Sequence, residues 1–191
     1  MAKNFFSKLF QGNKEVVPAG AIPCVDGCYI CGTVMEDGSV EGNKYCEGQL
    51  VGSGRFVDGK LSGFGKRFVN GQIMCEGNFV DGFLSGQGKV YSYKGFVTYE
   101  GNHAKKPNDY GSAYHGQGRE YHCVTGALLY EGDFYYNHWR GKGKEYYPNG
   151  QIRYEGEFLD SFWHGRGQYY KQNGELVYSD EFEEEPFTYD R

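Results

Sequence analysis

Three cysteines, Cys24, Cys28 and Cys31, stand in a C-x3-C-x2-C spacing, and Cys46 could complete a set of four thiolates. Four such ligands converging tetrahedrally would hold zinc. The triad spacing also matches that of radical enzymes that use an iron–sulfur cluster, but those need a βα-barrel, and this chain shows neither the helices nor the length for one. A plainer reading competes. Cys46 and Cys75 precede Glu-Gly just as Tyr99, Tyr130 and Tyr154 do, so they read as small apolar occupants of one column. The expectation is no metal, with Cys24, Cys28, Cys31 and Cys46 as the alternative ligand set.

The remaining candidates for chemistry are weaker. Gly-x-Gly occurs at Gly63/Gly65, Gly86/Gly88, Gly116/Gly118, Gly141/Gly143 and Gly165/Gly167. A dinucleotide fingerprint needs a third glycine between a strand and a helix, and a phosphate loop ends in Gly-Lys-Ser/Thr. A pattern recurring five times is structural. His115 and His164 precede the first glycine, where Ser62, Ser85 and Arg140 stand in the other units, and so read as loop decoration. His103, His122 and His138 have no carboxylate or nucleophile at a matching distance in sequence. No catalytic residue and no cofactor are expected, and the chain reads as a non-enzyme.

The elements that would position these residues follow from composition. Of 191 residues 31 are glycine and 34 aromatic, with formal charge −5. Glycine is more than twice the usual ~7% and costs a helix roughly 1 kcal/mol per residue, so helical folds are excluded; the rings exclude general disorder. An all-β chain remains. Tyr130-Glu131-Gly132-Asp133-Phe134 returns 24 residues later as Tyr154-Glu155-Gly156-Glu157-Phe158, then degraded as Tyr178–Phe182. Tyr99-Glu100-Gly101, Cys75-Glu76-Gly77 and Cys46-Glu47-Gly48 read as earlier copies. Leu61, Leu84, Tyr114, Trp139 and Trp163 each stand two residues before the Gly-x-Gly, and Asn70-Gly71, Asn149-Gly150 and Asn173-Gly174 close units as turns with both residues at positive φ. Two units, running from Leu50 to Gly63 and from His103 to Gly116, are longer by six residues at the same loop.

Each unit predicts a β-hairpin, and alternation sorts its faces. Rings and glycines share one face, so that the missing Cβ lets a ring lie on the backbone. The other face carries a glutamate column (Glu47, Glu76, Glu100, Glu131, Glu155) beside a basic column (Lys66, Lys89, Arg119, Lys144). A lone hairpin is not stable but a stack is, and at ~4.8 Å per strand five to six units give a rod of roughly 50–60 Å.

These residues resemble MORN (membrane occupation and recognition nexus) repeats, most specifically over 75–177. The resemblance implies an elongated single-sheet solenoid of stacked hairpins serving as scaffold, dimerisation or targeting module, and it brings no catalytic motif. The expected organisation is an N-terminal segment 1–23, a degenerate Cys-containing hairpin 24–45, repeats at 46–74, 75–98, 99–129, 130–153 and 154–177, and an acidic tail 178–191.

The expected role is an intracellular, cytoplasmic scaffold or adaptor for a protein partner, with a homodimer also plausible. Its candidate surface is the stripe Phe68, Tyr91, Tyr121, Tyr146 and Tyr170 beside Lys66, Lys89, Arg119 and Lys144; padding of the outer sheet is the competing reading for those rings. Residues 46–177 hold fifteen bases and fourteen acids, so no patch for nucleic acid is expected. The alternative function is attachment to an anionic membrane through the basic column and the N-terminus. There a short helix would gather Phe5, Phe6, Leu9 and Phe10 on one face with Lys3 and Lys8 off it; the same segment could instead lid the array. No apolar run reaches the ~18–20 residues of a membrane span. Absence of an export signal and six cysteines suggest a reducing compartment. The acidic tail around Glu183-Glu184-Glu185 caps the last edge or docks a basic partner through Phe182, Phe187 and Tyr189.

Overall fold

The computed structural model describes residues 17–107 and 111–182. The expected N-terminal helix and the ring and acid motifs beyond Phe182 lie outside them. The described residues form one antiparallel sheet of fourteen strands in chain order: β1 (Ile22–Pro23), β2 (Tyr29–Val34), β3 (Val40–Cys46), β4 (Gln49–Val57), β5 (Lys60–Val69), β6 (Gln72–Val80), β7 (Phe83–Tyr91), β8 (Val97–Lys105), β9 (Ser112–Tyr121), β10 (Leu128–Tyr135), β11 (His138–Tyr146), β12 (Ile152–Leu159), β13 (Phe162–Tyr170) and β14 (Leu176–Phe182). Thirteen spacings of ~4.8 Å make the sheet roughly 60 Å long. Among the described residues no helix is long and apolar enough to cross a membrane.

One row of glycines fixes the register. Cα pairing runs Gly32, Gly42, Gly54, Gly65, Gly77, Gly88, Gly101, Gly118, Gly132, Gly143, Gly156, Gly167 without a break from β2 to β13, and ends opposite Asp180 in β14. A Cβ on Gly118, Gly143 or Gly167 would collide with the hydroxyl end of the Tyr99, Tyr130 or Tyr154 ring respectively. Those three tyrosines are fully buried, and each donates its hydroxyl to a carbonyl three residues on, of Asn102 (2.8 Å), Asp133 (3.0 Å) and Glu157 (3.1 Å). Against their other faces lie Tyr114, Trp139 and Trp163, stacked at centroid distances of 3.6, 4.4 and 4.6 Å. Phe134, Phe158 and Phe182 meet the tyrosines edge-on. In this half the core is a ladder of rings.

The N-terminal half mixes aliphatics with single phenylalanines: Ile30, Val40, Phe56, Leu61, Cys75, Phe79 and Leu84 form its buried cluster. His103 sits between the halves at the position Phe79 and Phe134 hold elsewhere, opposite Gly86 as they are opposite Gly63 and Gly116. Burial pushes its imidazole pKa down, against the pull of the Gly101 and Gly86 carbonyls.

Several sequence expectations change. Cys46-Glu47-Gly48 is not a repeat start: Glu47 (φ 50°) and Gly48 (φ 74°) make the β3–β4 turn, and register aligns Gly52-Ser53-Gly54-Arg55-Phe56 with Cys75–Phe79. The first repeat therefore starts near Gly52 and has no insertion, and Glu47 leaves the glutamate column. The insertion in 99–129 is real, since β8 and β9 pair out to Lys105–Ser112. Asn70-Gly71 has both residues at positive φ (51° and 75°), whereas at 149–150 and 173–174 only the glycine does. Conversely, Tyr136-Asn137 and Asp160-Ser161 turn with both residues left-handed. The latter turns are held from the preceding repeat: Asn137 N–H donates to Tyr114 O and Ser161 N–H to Trp139 O, as Gly82 N–H does to Leu61 O.

Candidate functional site

The cysteine cluster does not assemble. Cys28 and Cys46 form a disulfide across the first hairpin, with Cα atoms 4.4 Å apart. Cys24 packs against the apolar cluster that contains Ile30, whereas Cys31, the next residue along β2, alternates to the opposite face. The four-thiolate set is thus replaced by one disulfide and two separated thiols, and Cys46 is not a column mate of Cys75. Among the described residues no group of three potential ligands could hold a metal ion. The disulfide also departs from the expectation of uniformly reduced cysteines.

The polar face holds a continuous construction. Three glutamates of the column take a tyrosine hydroxyl from the strand after them: Tyr91 to Glu76 (2.6 Å), Tyr121 to Glu100 (2.7 Å) and Tyr146 to Glu131 (2.6 Å). Bases of the neighbouring strands complete the lattice: Lys66–Glu76 (3.1 Å), Lys89–Glu100 (3.3 Å), Arg119–Glu131 (3.1 Å), Arg119–Glu100 (3.6 Å) and Lys144–Glu155 (3.2 Å). The tyrosine bond is the main cause that holds Glu76, Glu100 and Glu131 below the ordinary carboxylate pKa, with the lysines and Arg119 adding to it. The tyrosines respond oppositely: burial first, then the carboxylate, pushes Tyr91 and Tyr121 up to about 12. The predicted stripe therefore exists as a set of half-buried rings whose hydroxyls are engaged. Tyr170 donates to Gln168 (2.6 Å), and Phe68 continues the stripe without a hydroxyl.

Beside this stripe runs a groove of about 1280 Å³ crossing five hairpins, from Phe64 to Arg166. Its floor is the glycine row from Gly77 to Gly156. One wall is the alternating ladder Glu76, Lys89, Glu100, Arg119, Glu131, Lys144, Glu155. The other is Phe64, Gln87, Gln117, Lys142 and Arg166 with Asp133 and Glu157. The sequence reading missed this second wall, although its signal was present: the x of every Gly-x-Gly alternates outward from the glycine row. Phe64 is 65% exposed; Gln87 is bonded to Asn102 (2.9 Å) and Gln117 to Asp133. Six acids and five bases line the groove, so it has almost no net charge.

Two further carboxylates were not anticipated. Glu120 and Glu145 stand opposite Tyr99 and Tyr130 on the ring face, and accept the indole N–H of Trp139 and Trp163, each at 2.7 Å. Burial raises the Glu120 pKa, partly offset by that bond. Arg153 bonds Glu145 (2.9 Å) and lies over the Trp163 ring. They orient the rings of the ladder.

The geometry agrees with the family comparison. The MORN repeat family pattern matches residues 53–73, 75–96, 130–152 and 154–175. The 99–129 unit, which is not among these matches, has its glycine row in the same register and differs by its insertion. No curated protein matches the chain. Two matched units before the insertion and two after it, in one unbroken register, show that the chain belongs to the MORN-repeat family.

Proposed function

We propose that the protein is a non-enzymatic scaffold or adaptor whose groove receives an extended segment of a partner protein. The observation that carries this reading is the groove itself, continuous over five hairpins and floored by glycine backbone. From β5 to β13 it spans roughly 40 Å, enough for about a dozen residues of extended chain at ~3.3 Å each. Its walls alternate in charge, which favours a segment of mixed charge over a polyanion. A phosphate backbone or an anionic bilayer would want unpaired bases, and Lys66, Lys89, Arg119 and Lys144 are all within 3.6 Å of a glutamate. The membrane reading through the basic column has no such support, and its N-terminal carrier lies outside the described residues.

The test fills the groove. Gln87 and Gln117 are exposed, so Gln87→Trp with Gln117→Trp should leave the fold intact while blocking the trough. Affinity capture from the source cell with wild-type and variant bait is expected to lose its partner in the variant. Equal capture by both would refute the groove as the docking surface.

A further inference from the structure

A second concavity, of about 610 Å³, lies in the N-terminal half of the array, lined by residues from Asp26 to Lys105. The ring ladder is replaced there by smaller side chains. The column filled by Tyr99, Tyr130 and Tyr154 holds Gly52 and Cys75, and the position of Trp139 and Trp163 holds Leu61 and Leu84. The cross-strand position also inverts its charge: where Glu120 and Glu145 stand under tryptophan indoles, Arg67 stands opposite Gly52. Apolar walls come from Phe56, Leu61 and Phe83. Four cations line the cavity, Lys44, Lys60, Arg67 and Lys105, against two acids, Asp26 and Asp81. Lys44 is tied to Asp26 (2.6 Å) and Gly59 O (2.8 Å), and Lys105 lies 5.0 Å over the Phe83 ring. Arg67 donates one N–H group to Gly82 O; a guanidinium has further donors.

We infer that this cavity is a binding site for an amphiphilic anion, an acyl chain or ring with one carboxylate or similar head group. Phe56 and Leu61 close over Gly52, so the apolar body would lie across the outer edge of Leu61 and the Phe83 ring, and the head group would meet Lys60, Lys105 and the remaining Arg67 donors at the rim. Such sites, mostly apolar with a few convergent polar groups, are the usual form of small-molecule pockets. The site shares no lining residue with the groove and is independent of the partner reading.

Titration calorimetry of the full chain with decanoate, with decanol and with phosphatidylserine vesicles as separate arms tests it. Saturable decanoate binding is expected, with decanol weaker by about tenfold or more, since a charge-assisted contact is lost. Lys60→Glu with Lys105→Glu should weaken decanoate by at least as much, and Leu61→Trp should abolish it by filling the cavity. Lys171→Glu, at the far end of the array, should leave it unchanged. Retained melting temperature in the charge variants separates lost binding from lost fold. Vesicle binding abolished by the same charge variants would identify a lipid as the source of the anion, and no vesicle binding would identify a free one. Absence of saturable decanoate binding, or equal binding of decanol, or binding indifferent to the charge variants, would overturn the site.

Discussion

At the residue scale the protein depends on what glycine lacks. A Cβ on Gly143 would collide with the hydroxyl end of the Tyr130 ring, while Gly86 has open space about it but a φ of 84°. Alanine should therefore cost differently at the two positions. Gly143→Ala is expected to destabilise by about 3 kcal/mol through overpacking, and Gly86→Ala by about 1–2 kcal/mol through the left-handed backbone. Pairing Gly143→Ala with Tyr130→Cys, the residue Cys75 supplies in the same column, should recover much of the loss; denaturant unfolding of the double-mutant cycle measures it. The carboxylates give a pH signature of two opposite signs. Glu76, Glu100 and Glu131 have depressed folded pKa values, so their stabilisation is present above about 4.5 and lost as pH falls through the folded values. Glu120 has a raised one, so its contribution is full below about 4.5 and lost as pH rises through the folded value. Glu120→Gln keeps an acceptor for the Trp139 indole and removes the charge, so it should raise the melting temperature at pH 7 and change it little at pH 4.

At the element scale each hairpin is a replaceable unit, because its glycines, ring pair and turn address only its neighbours. Deleting residues 130–153 brings Tyr154 to the place of Tyr130 and Phe158 onto Tyr114 in the place of Phe134. The shortened chain is expected to fold cooperatively with β-sheet circular dichroism and a smaller m-value; an unfolded product would show the units to be less equivalent than the register implies. Much of this was legible in the chain, since the 24-residue spacing, the Glu-Gly and Gly-x-Gly columns and the ion-paired face all follow from period-two alternation. The first repeat was not. Its leading residue is Gly52, which has neither ring nor sulfur to mark it, while Cys46-Glu47-Gly48 imitates the motif in a turn. Tyr136-Asn137 and Asp160-Ser161 carry no turn signal of the Asn-Gly kind; their left-handed geometry is enforced by bonds from the previous repeat. Glu120 and Glu145 escaped notice because a carboxylate is an improbable occupant of an aromatic face until the indole that satisfies it is seen.

At the scale of the whole molecule the glycine row explains both the ladder and its limits. It runs through twelve strands and ends opposite Asp180 in β14. What remains is a long sheet with a ring face, a concavity in its N-terminal half and a groove along its polar face. The claim that an extended partner segment lies along that groove is tested most directly by photo-crosslinking in the source cell from Gln87, Gln117, Lys142 and Arg166, each on a successive hairpin. Because hairpins advance about 10 Å and extended chain about 3.3 Å per residue, the four positions should label one partner segment in order, some three residues apart. Crosslinks scattered over unrelated proteins, or to one partner without that order, would contradict it.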